Sequence, residues 1–403
     1  MQKHRGLFLM AVTVILAALD ASAQVDPDKR ELVQVGFSQA IQGASPVAAY
    51  GYYYLNEPNF YKTNLTLRIA IAPVYLDSEV GLVGALGPNT DLGIGLAGGA
   101  FADNYYEFED GKYLPEQSFT GDSGETSLSV YHLFDPGKLI PLYGILRVKE
   151  HFSAYERNDD TAGNFVLPHD HSTTEWRVGL RFGGREPLLH PELAMELSAW
   201  YEGQYRTDSG SYGFNGDRIL EANSELYWAR ALLIYTMPKS KQSLDVELLG
   251  GGSWHADRFS AYRLGGDLPL ASEFPLTIPG YFYQELSAKN FVSFSAQYTI
   301  PLDANHSWNL SPMGAIAAME YIPGLSQPGA VNSGVGLGLG YRSHSGAWQV
   351  MADYGYGFEA QRAEGRGAQS IGILCQLNLG AKNPGGETRL DRFIGFIPSR
   401  IFP

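Results

Sequence analysis

The side chains best suited to metal binding lie together in one polar segment, His169-Asp170-His171. Imidazole and carboxylate groups bind zinc, but a closed site needs a tetrahedral set of ligands. Two histidines one residue apart on an extended segment do not supply that set, and no further ligand is evident. We therefore expect neither a metal site nor a cofactor.

Two serine–histidine pairs are the candidates for nucleophilic catalysis. Ser253 and His255 would share one face of a strand, whereas Ser129 and His132, three apart, would not. The sequence has neither a Gly-x-Ser-x-Gly elbow nor a Cys–His pairing. The Gly-rich runs 93–99 and 334–340 lack the Lys-Ser/Thr and the helix of a phosphate loop. We expect no catalytic activity.

Charged residues are more informative, because they occupy alternate positions in long runs such as 174–182 and 195–204. The other face of each run is apolar. A charge that faces lipid costs about 2–4 kcal/mol for a mid-bilayer Arg. We therefore expect the ionic face to line an enclosed interior, with these residues: Arg68, Glu175, Arg177, Arg181, Glu196, Glu202, Arg230, Asp245, Glu247 and Asp353.

The runs that carry these residues have a period of two, which indicates β-strands. Strands of soluble sheets average about five or six residues, whereas tilted membrane strands need about 9–11. Many runs reach the longer value. The pattern predicts an all-β fold, a transmembrane antiparallel β-barrel over residues 24–380. It has about 16 strands (range 12–16), the weaker candidates being 31–40, 47–55 and 80–87.

The connections between runs alternate in length, as expected for a barrel with short turns at one edge and long loops at the other. The segments 135–138 and 343–346 are tight turns. The long, polar connections are 103–122, 154–171, 207–222 and 256–288. Aromatic residues near run ends predict girdles at the membrane interfaces: Tyr105-Tyr106, Trp200-Tyr201, Tyr227-Trp228, and Tyr354 with Tyr356.

The chain ends and the composition bound the cellular setting. Residues 1–23 have a basic start, an apolar run and a small-residue cleavage site, which predicts a signal peptide for Sec export. Residues 381–403 form a tail after the closing strand. A net charge of −14 argues against a nucleic-acid partner. The single Cys375 excludes an internal disulfide.

The last third of the barrel resembles the BamA/TamA superfamily, also called the bacterial surface antigen family. The matching features are the Gly-rich run 333–343, the turn His344-Ser345-Gly346, the run 347–358 with its aromatic end, and the closing run 370–373. The resemblance implies an outer-membrane barrel that takes part in membrane assembly or transport. Only about twenty residues separate the predicted cleavage site from the first candidate strand, so we expect a barrel-only member without POTRA domains.

A second match concerns a loop that folds back into the lumen in that family. The segment 259–266, with Arg263, Gly265 and Gly266, and the pair Gly280-Tyr281 resemble the family pattern "F-x-x-G-G … R-G-[FY]". There the loop arginine pairs with acidic groups on the inner wall. Pro279 stands at the arginine position, so Arg263 is the candidate for that role.

The leading hypothesis is therefore a non-catalytic outer-membrane barrel active in protein or lipid assembly or transport. Its expected surroundings are outer-membrane lipid and other outer-membrane or periplasmic proteins. The main alternative is a passive, porin-like channel for small solutes, and the third is an outer-membrane enzyme. An open lumen favours the channel, and a lumen filled by the 256–288 loop favours the assembly class.

Overall fold

Strict alternation of apolar and polar side chains gives each long run two faces that meet different surroundings. The structure is a computed structural model that describes residues 29–46, 48–136, 140–184, 193–267, 274–325, 327, 329–363 and 365–380. Within them, sixteen long antiparallel strands form one closed sheet, because the first strand pairs with the last over Leu32–Ala40 and Ser370–Asn378. The prediction of a barrel of about 16 strands is confirmed.

We number these barrel strands in chain order. Their bounds are β1 Arg30–Ala40, β2 Ala48–Pro58, β3 Leu65–Ala72, β4 Tyr75–Leu82, β5 Thr90–Gly99, β6 Thr120–Leu133, β7 Leu142–Glu156, β8 His171–Gly184, β9 Leu193–Arg206, β10 Asn223–Thr236, β11 Ser243–Trp254, β12 Leu286–Pro301, β13 Trp308–Tyr321, β14 Val331–Arg342, β15 Trp348–Arg362 and β16 Gly365–Asn378.

Side-chain exposure identifies the outer surface. Leu180 on β8, Leu197 on β9 and Val292 on β12 are each more than half exposed. Their neighbours in sequence point into the barrel, where Glu196 is fully buried. A belt of exposed aliphatic and aromatic side chains is typical of a surface that contacts hydrocarbon. Cys375 is half-buried and pairs with Val35, which is itself exposed on this outer face.

The long connections share one edge of the barrel. Segments 100–119, 157–170, 207–222 and 255–285 all follow odd-numbered strands, so they leave the barrel at the same end. Small hairpins decorate them: Phe108–Glu109 with Lys112–Tyr113, and Phe165–Val166, Gly210–Phe214 and Arg218–Leu220 with one another. One short 3-10 helix spans Pro115–Gln117.

The prediction of a strand at 80–87 is wrong in position. The strand is β4, Tyr75–Leu82, and the chain turns after it. Gly84 and Gly87 adopt φ of +67° and +122°, which favour glycine, and the Gly84 amide donates to Asp91 Oδ1 at 2.8 Å. These glycines end the strand early.

The aromatic girdle prediction is also wrong in part. Trp200 and Trp228 point into the lumen and are 5% and 8% exposed. Tyr105 lies in the 100–119 connection and is buried. Tyr227 and Tyr354 do lie exposed on the outer face.

No helix among the described residues is both long and apolar enough to span a bilayer. The predicted signal peptide 1–23 and tail 381–403 lie outside the described residues, and both stay predictions.

Candidate functional site in the barrel lumen

The inward faces of β3 to β11 form a lattice of ion pairs that we call the ionic wall. Arg68 pairs with Asp77 at 3.0 Å. Lys149 lies between Glu125 at 3.0 Å and Glu175 at 2.9 Å, and so joins β6, β7 and β8. Each pair links side chains of neighbouring strands, which requires that they share the inner face.

The lattice continues across the next strands. Arg177 pairs with Glu202 at 2.7 Å, and Arg230 lies 2.6 Å from Glu196 and 3.8 Å from Glu247. The remaining predicted charges of this wall are inward too: Arg181 on β8 lies opposite Tyr143 of β7, and Asp245 on β11 lies opposite Ile234 of β10. Nine of the predicted lumen charges thus lie on the ionic wall, and Asp353 lies elsewhere.

The inward faces of β12 to β16 and of β1 form a second surface that we call the docking wall. Its side chains are mostly small or uncharged, such as Ser293, Ala317, Gly334, Gly355 and Ser370. Small side chains leave room for another segment to approach the sheet closely. That segment is the 255–285 connection, which we call the lumen loop and which the structure describes at 255–267 and 274–285.

The lumen loop starts as an extension of the sheet. Residues Tyr262–Leu264 pair with the beginning of β12, and Gly266 forms a bridge with Ile278. Gly265 and Gly266 have φ of +126° and +92°, where L side chains are strained. A buried apolar cluster fills the base of the loop and includes Leu264, Ile278 and Tyr281.

The loop contacts the docking wall through Asp267 and Gly280. The Gly280 amide donates to Ser370 Oγ at 2.9 Å and to Asp267 Oδ1 at 3.2 Å. Asp267 accepts from Ser370 Oγ at 2.7 Å and from Ser38 Oγ at 3.1 Å. A Cβ at Gly280, where φ is +87°, would collide with the backbone nitrogen of Gly357. Glycine is therefore required at this contact.

Between these two residues the loop reaches the opposite wall. The ring of Phe274 packs edge-on against Trp200 and Trp228, with centroids 5.7 Å and 5.6 Å apart. The Arg230 guanidinium lies 4.5 Å from the same ring. In a closed barrel of sixteen strands, β9 and β10 lie across from β16 and β1. The lumen loop therefore crosses the lumen.

A buried ion pair fixes the end of the loop, but it is not the predicted one. Glu285 of the loop accepts two hydrogen bonds from Arg362 of β15, at 2.8 Å and 3.0 Å. Arg263 instead donates to the carbonyl oxygens of Tyr106 and Gln284 and stacks 4.8 Å from the ring of Tyr105. The hypothesis that Arg263 pairs with the wall is wrong, because its position on the loop directs it towards the outer connections.

The long connections 100–119 and 207–222 cover the lumen loop at the edge of the barrel. Glu107 is fully buried and pairs with Arg218 at 3.1 Å and with Arg258 at 3.3 Å. The same 100–119 connection reaches across to β15, where a Cβ at Gly111 would collide with the backbone of Gln361. The 100–119 connection and the lumen loop together occupy the mouth of the barrel.

Asp353 lies on the docking wall beside the Asp267 contact. Its side chain is 6% exposed, and neither carboxylate oxygen has a hydrogen-bond partner among the described residues. Burial raises the pKa of Asp267, and hydrogen bonds from Ser370, the Gly280 amide and Ser38 oppose that shift. Sequence reasoning placed Asp353 in the lumen but gave no sign that it lacks a partner.

The residues considered for chemistry lie apart from this contact. His169 pairs with Asp208 at 2.9 Å, Asp170 accepts from the Tyr155 amide, and His171 faces the carbonyl of His169. Among the described residues, no group of three or more His, Cys, Asp or Glu side chains is arranged to hold a metal ion.

Solved structures with a similar fold include bacterial outer-membrane barrels. Superposition on CdiB from Acinetobacter baumannii gives a TM-score of 0.54 at 15% identity, over 87% of this chain and 60% of that one. CdiB from Escherichia coli gives 0.56 at 11% identity, over 87% and 63%. BamA from Haemophilus ducreyi, in a structure lacking POTRA domains 1-3, gives 0.50 at 10% identity, over 86% and 70%.

The chain thus spans about 60% of the length of the CdiB chains. No protein-family model and no curated protein matches the sequence. The barrel fold is that of bacterial outer-membrane proteins, and it is similar to the barrels of CdiB and BamA.

Proposed function

We propose that this chain is an outer-membrane barrel with an occluded lumen that takes part in membrane assembly or in transport of a macromolecular client, without catalysis. The observation that carries the proposal is the course of the lumen loop. It contacts the docking wall at Asp267, the ionic wall at Phe274 and the docking wall again at Gly280. A segment that spans the bore narrows it, which disfavours free passage of small solutes.

The ionic wall supports the same proposal. Its side chains pair with one another across β3 to β11, so few charges remain to select a passing solute. This ion-pair lattice forms the wall against which Phe274 of the loop packs. The similarity to the CdiB and BamA barrels supports the outer-membrane barrel class and indicates no particular client.

The described geometry also supports the absence of catalysis. Ser129 is fully buried and accepts a hydrogen bond from Arg147, while His132 pairs with Thr90 on the other face of β6. Ser253 donates to the Lys289 carbonyl, and His255 lies beyond the end of β11. Within the described part of the chain, the Ser129 hydroxyl contacts Glu79 and Arg147 and the Ser253 hydroxyl contacts the Lys289 carbonyl, so neither forms the serine–histidine pair that the sequence suggested.

The test is depletion of the protein in its native host, followed by quantitative proteomics of the outer membrane and by uptake assays for small solutes. We expect the level of at least one other outer-membrane or surface protein to fall while solute uptake is unchanged. Reduced uptake with an unchanged outer-membrane proteome would contradict the proposal and favour the porin-like alternative. A variant lacking the lumen loop, expressed at the same level, should fail to restore the client.

A further inference from the structure

Two carboxylates meet where the lumen loop contacts the docking wall. Asp267 comes from the loop, and Asp353 comes from β15. A Cβ at Gly355 would collide with Asp267 Oδ1, and a Cβ at Gly372 would collide with Asp353 Oδ1. Gly355 of β15 lies opposite Ser370 of β16, and Gly372 follows Ser370 by two residues on the same strand. The two carboxylates are therefore neighbours on the inner face.

The two groups differ in how they are satisfied. Asp267 accepts hydrogen bonds from Ser38, Ser370 and the Gly280 amide. Asp353 is more than nine-tenths buried, and both of its oxygens lack a partner among the described residues. A buried carboxylate that is neither paired nor hydrogen-bonded is strongly unfavourable, and a second carboxylate beside it adds repulsion.

Protonation alone does not remove the difficulty. A proton would neutralise Asp353, but its oxygens would still lack hydrogen-bond partners in a buried site. A cation neutralises both carboxylates, and its bound water molecules satisfy the remaining oxygen lone pairs. Hard divalent cations prefer oxygen donors, which this junction supplies as two carboxylates flanked by the hydroxyls of Ser38 and Ser370.

We propose that Asp267 and Asp353 bind one divalent cation of the Ca²⁺ class that joins the lumen loop to the barrel wall. Two carboxylates are few for such a site, so we expect a dissociation constant of roughly 10⁻⁴–10⁻³ M, as in extracellular calcium modules.

The experiment is titration calorimetry with CaCl₂ on the full chain, refolded free of lipopolysaccharide in a zwitterionic detergent and stripped with EDTA. Wild-type protein should bind one Ca²⁺ per chain. Asp353→Asn and Asp267→Asn should each weaken binding by about tenfold or more, because each removes one of two anionic ligands. Asp77→Asn, which alters an equally inward carboxylate that Arg68 already neutralises, should bind as wild type does.

A second readout follows the loop itself. Ca²⁺ should raise the urea concentration at which tryptophan emission reports loss of the Phe274 contact with Trp200 and Trp228, in wild type but not in the Asp267→Asn variant. No Ca²⁺ binding by folded wild type overturns the proposal, and so does equal binding by all four proteins. If Asp353→Asn does not fold, Asp267→Asn decides, because it lies on the loop and not in the sheet.

Discussion

The ionic wall and the docking wall solve the same physical problem in different ways. Each must present polar backbone and side chains to a lumen while its other face contacts lipid. In the ionic wall, the charged side chains neutralise one another by pairing from strand to strand between β3 and β11. The docking wall carries few charges, and its polar groups form hydrogen bonds with the lumen loop.

This difference explains the distribution of small residues. Glycines on β14 and β15 leave space that the loop fills with backbone, as at Gly334 against Pro279 and at Gly357 against Gly280. Bulky side chains there would exclude the loop. We infer that the docking wall depends on the loop for its packing and that the ionic wall does not.

We expect the largest effect from a bulky side chain introduced on the docking wall. A side chain at Gly355 would collide with Asp267 Oδ1 and lie 2.8 Å from the Gly280 amide nitrogen, so Gly355→Leu should displace the loop. Planar-bilayer recordings should change from small, irregular steps to large, steady ones. Gly340→Leu is the matched control, since its nearest neighbours lie 3.8 Å away or more and none belongs to the loop. Equal conductance of both variants would refute the occluded lumen.

The next largest effect concerns the buried pair at the end of the loop. Glu285 and Arg362 have side chains 1% and 2% exposed. Removing one partner leaves a buried charge, so Glu285→Ala should lower the free energy of unfolding by about 3–5 kcal/mol. Urea unfolding in detergent micelles measures it. A loss below about 1 kcal/mol would show that the pair is accessible to water.

A smaller effect is expected at the opposite contact. Phe274 is half-buried between two tryptophans, so Phe274→Ala should cost about 2 kcal/mol, less than the 3–5 kcal/mol of a fully buried phenylalanine. Tryptophan emission should shift to the red as Trp200 and Trp228 meet water. Phe294→Ala on the outer face is the control and should leave the emission unchanged. An unshifted spectrum in Phe274→Ala would place the loop away from the ionic wall.

The smallest effect tests the ionic wall itself. Arg68 and Asp77 are about one-third exposed, and water screens their attraction. Asp77→Asn should therefore change the free energy of unfolding by no more than about 1 kcal/mol. If it costs as much as Glu285→Ala in the same urea assay, the two walls do not differ as described.

Alternation was enough to predict the barrel and the inward position of the ionic residues, because a strand has only two faces. It placed Trp200 on the same face as Glu196, and the structure agrees. The girdle rule gave the opposite answer for Trp200, since aromatic residues near run ends pack equally well against a loop. Alternation shows which side chains share a face of a strand. It does not show which segment of the chain packs against that face.

The docking contacts could not be predicted for the same reason. Arg362 follows a register shift between Gly357 and Gln361, which breaks the two-residue period that would have assigned its face. Glu285 lies in a loop, where period carries no information. The family pattern located Gly280 and Tyr281, but it places the arginine on the loop and the acidic group on the wall. Here the acidic Glu285 lies on the loop and Arg362 lies on the wall, an arrangement that the pattern does not predict.

The most direct test of the central claim is a cross-link in intact outer membranes, in a Cys375→Ser background. Ser38→Cys on β1 and Asp267→Cys on the lumen loop replace side chains whose oxygens lie 3.1 Å apart. We expect a short thiol cross-linker to join them efficiently, and to leave unjoined a second pair, Asp77→Cys with Asp267→Cys, which spans the two walls. Cross-linking of neither pair, or of both equally, would contradict a loop that crosses the lumen and docks beside β1.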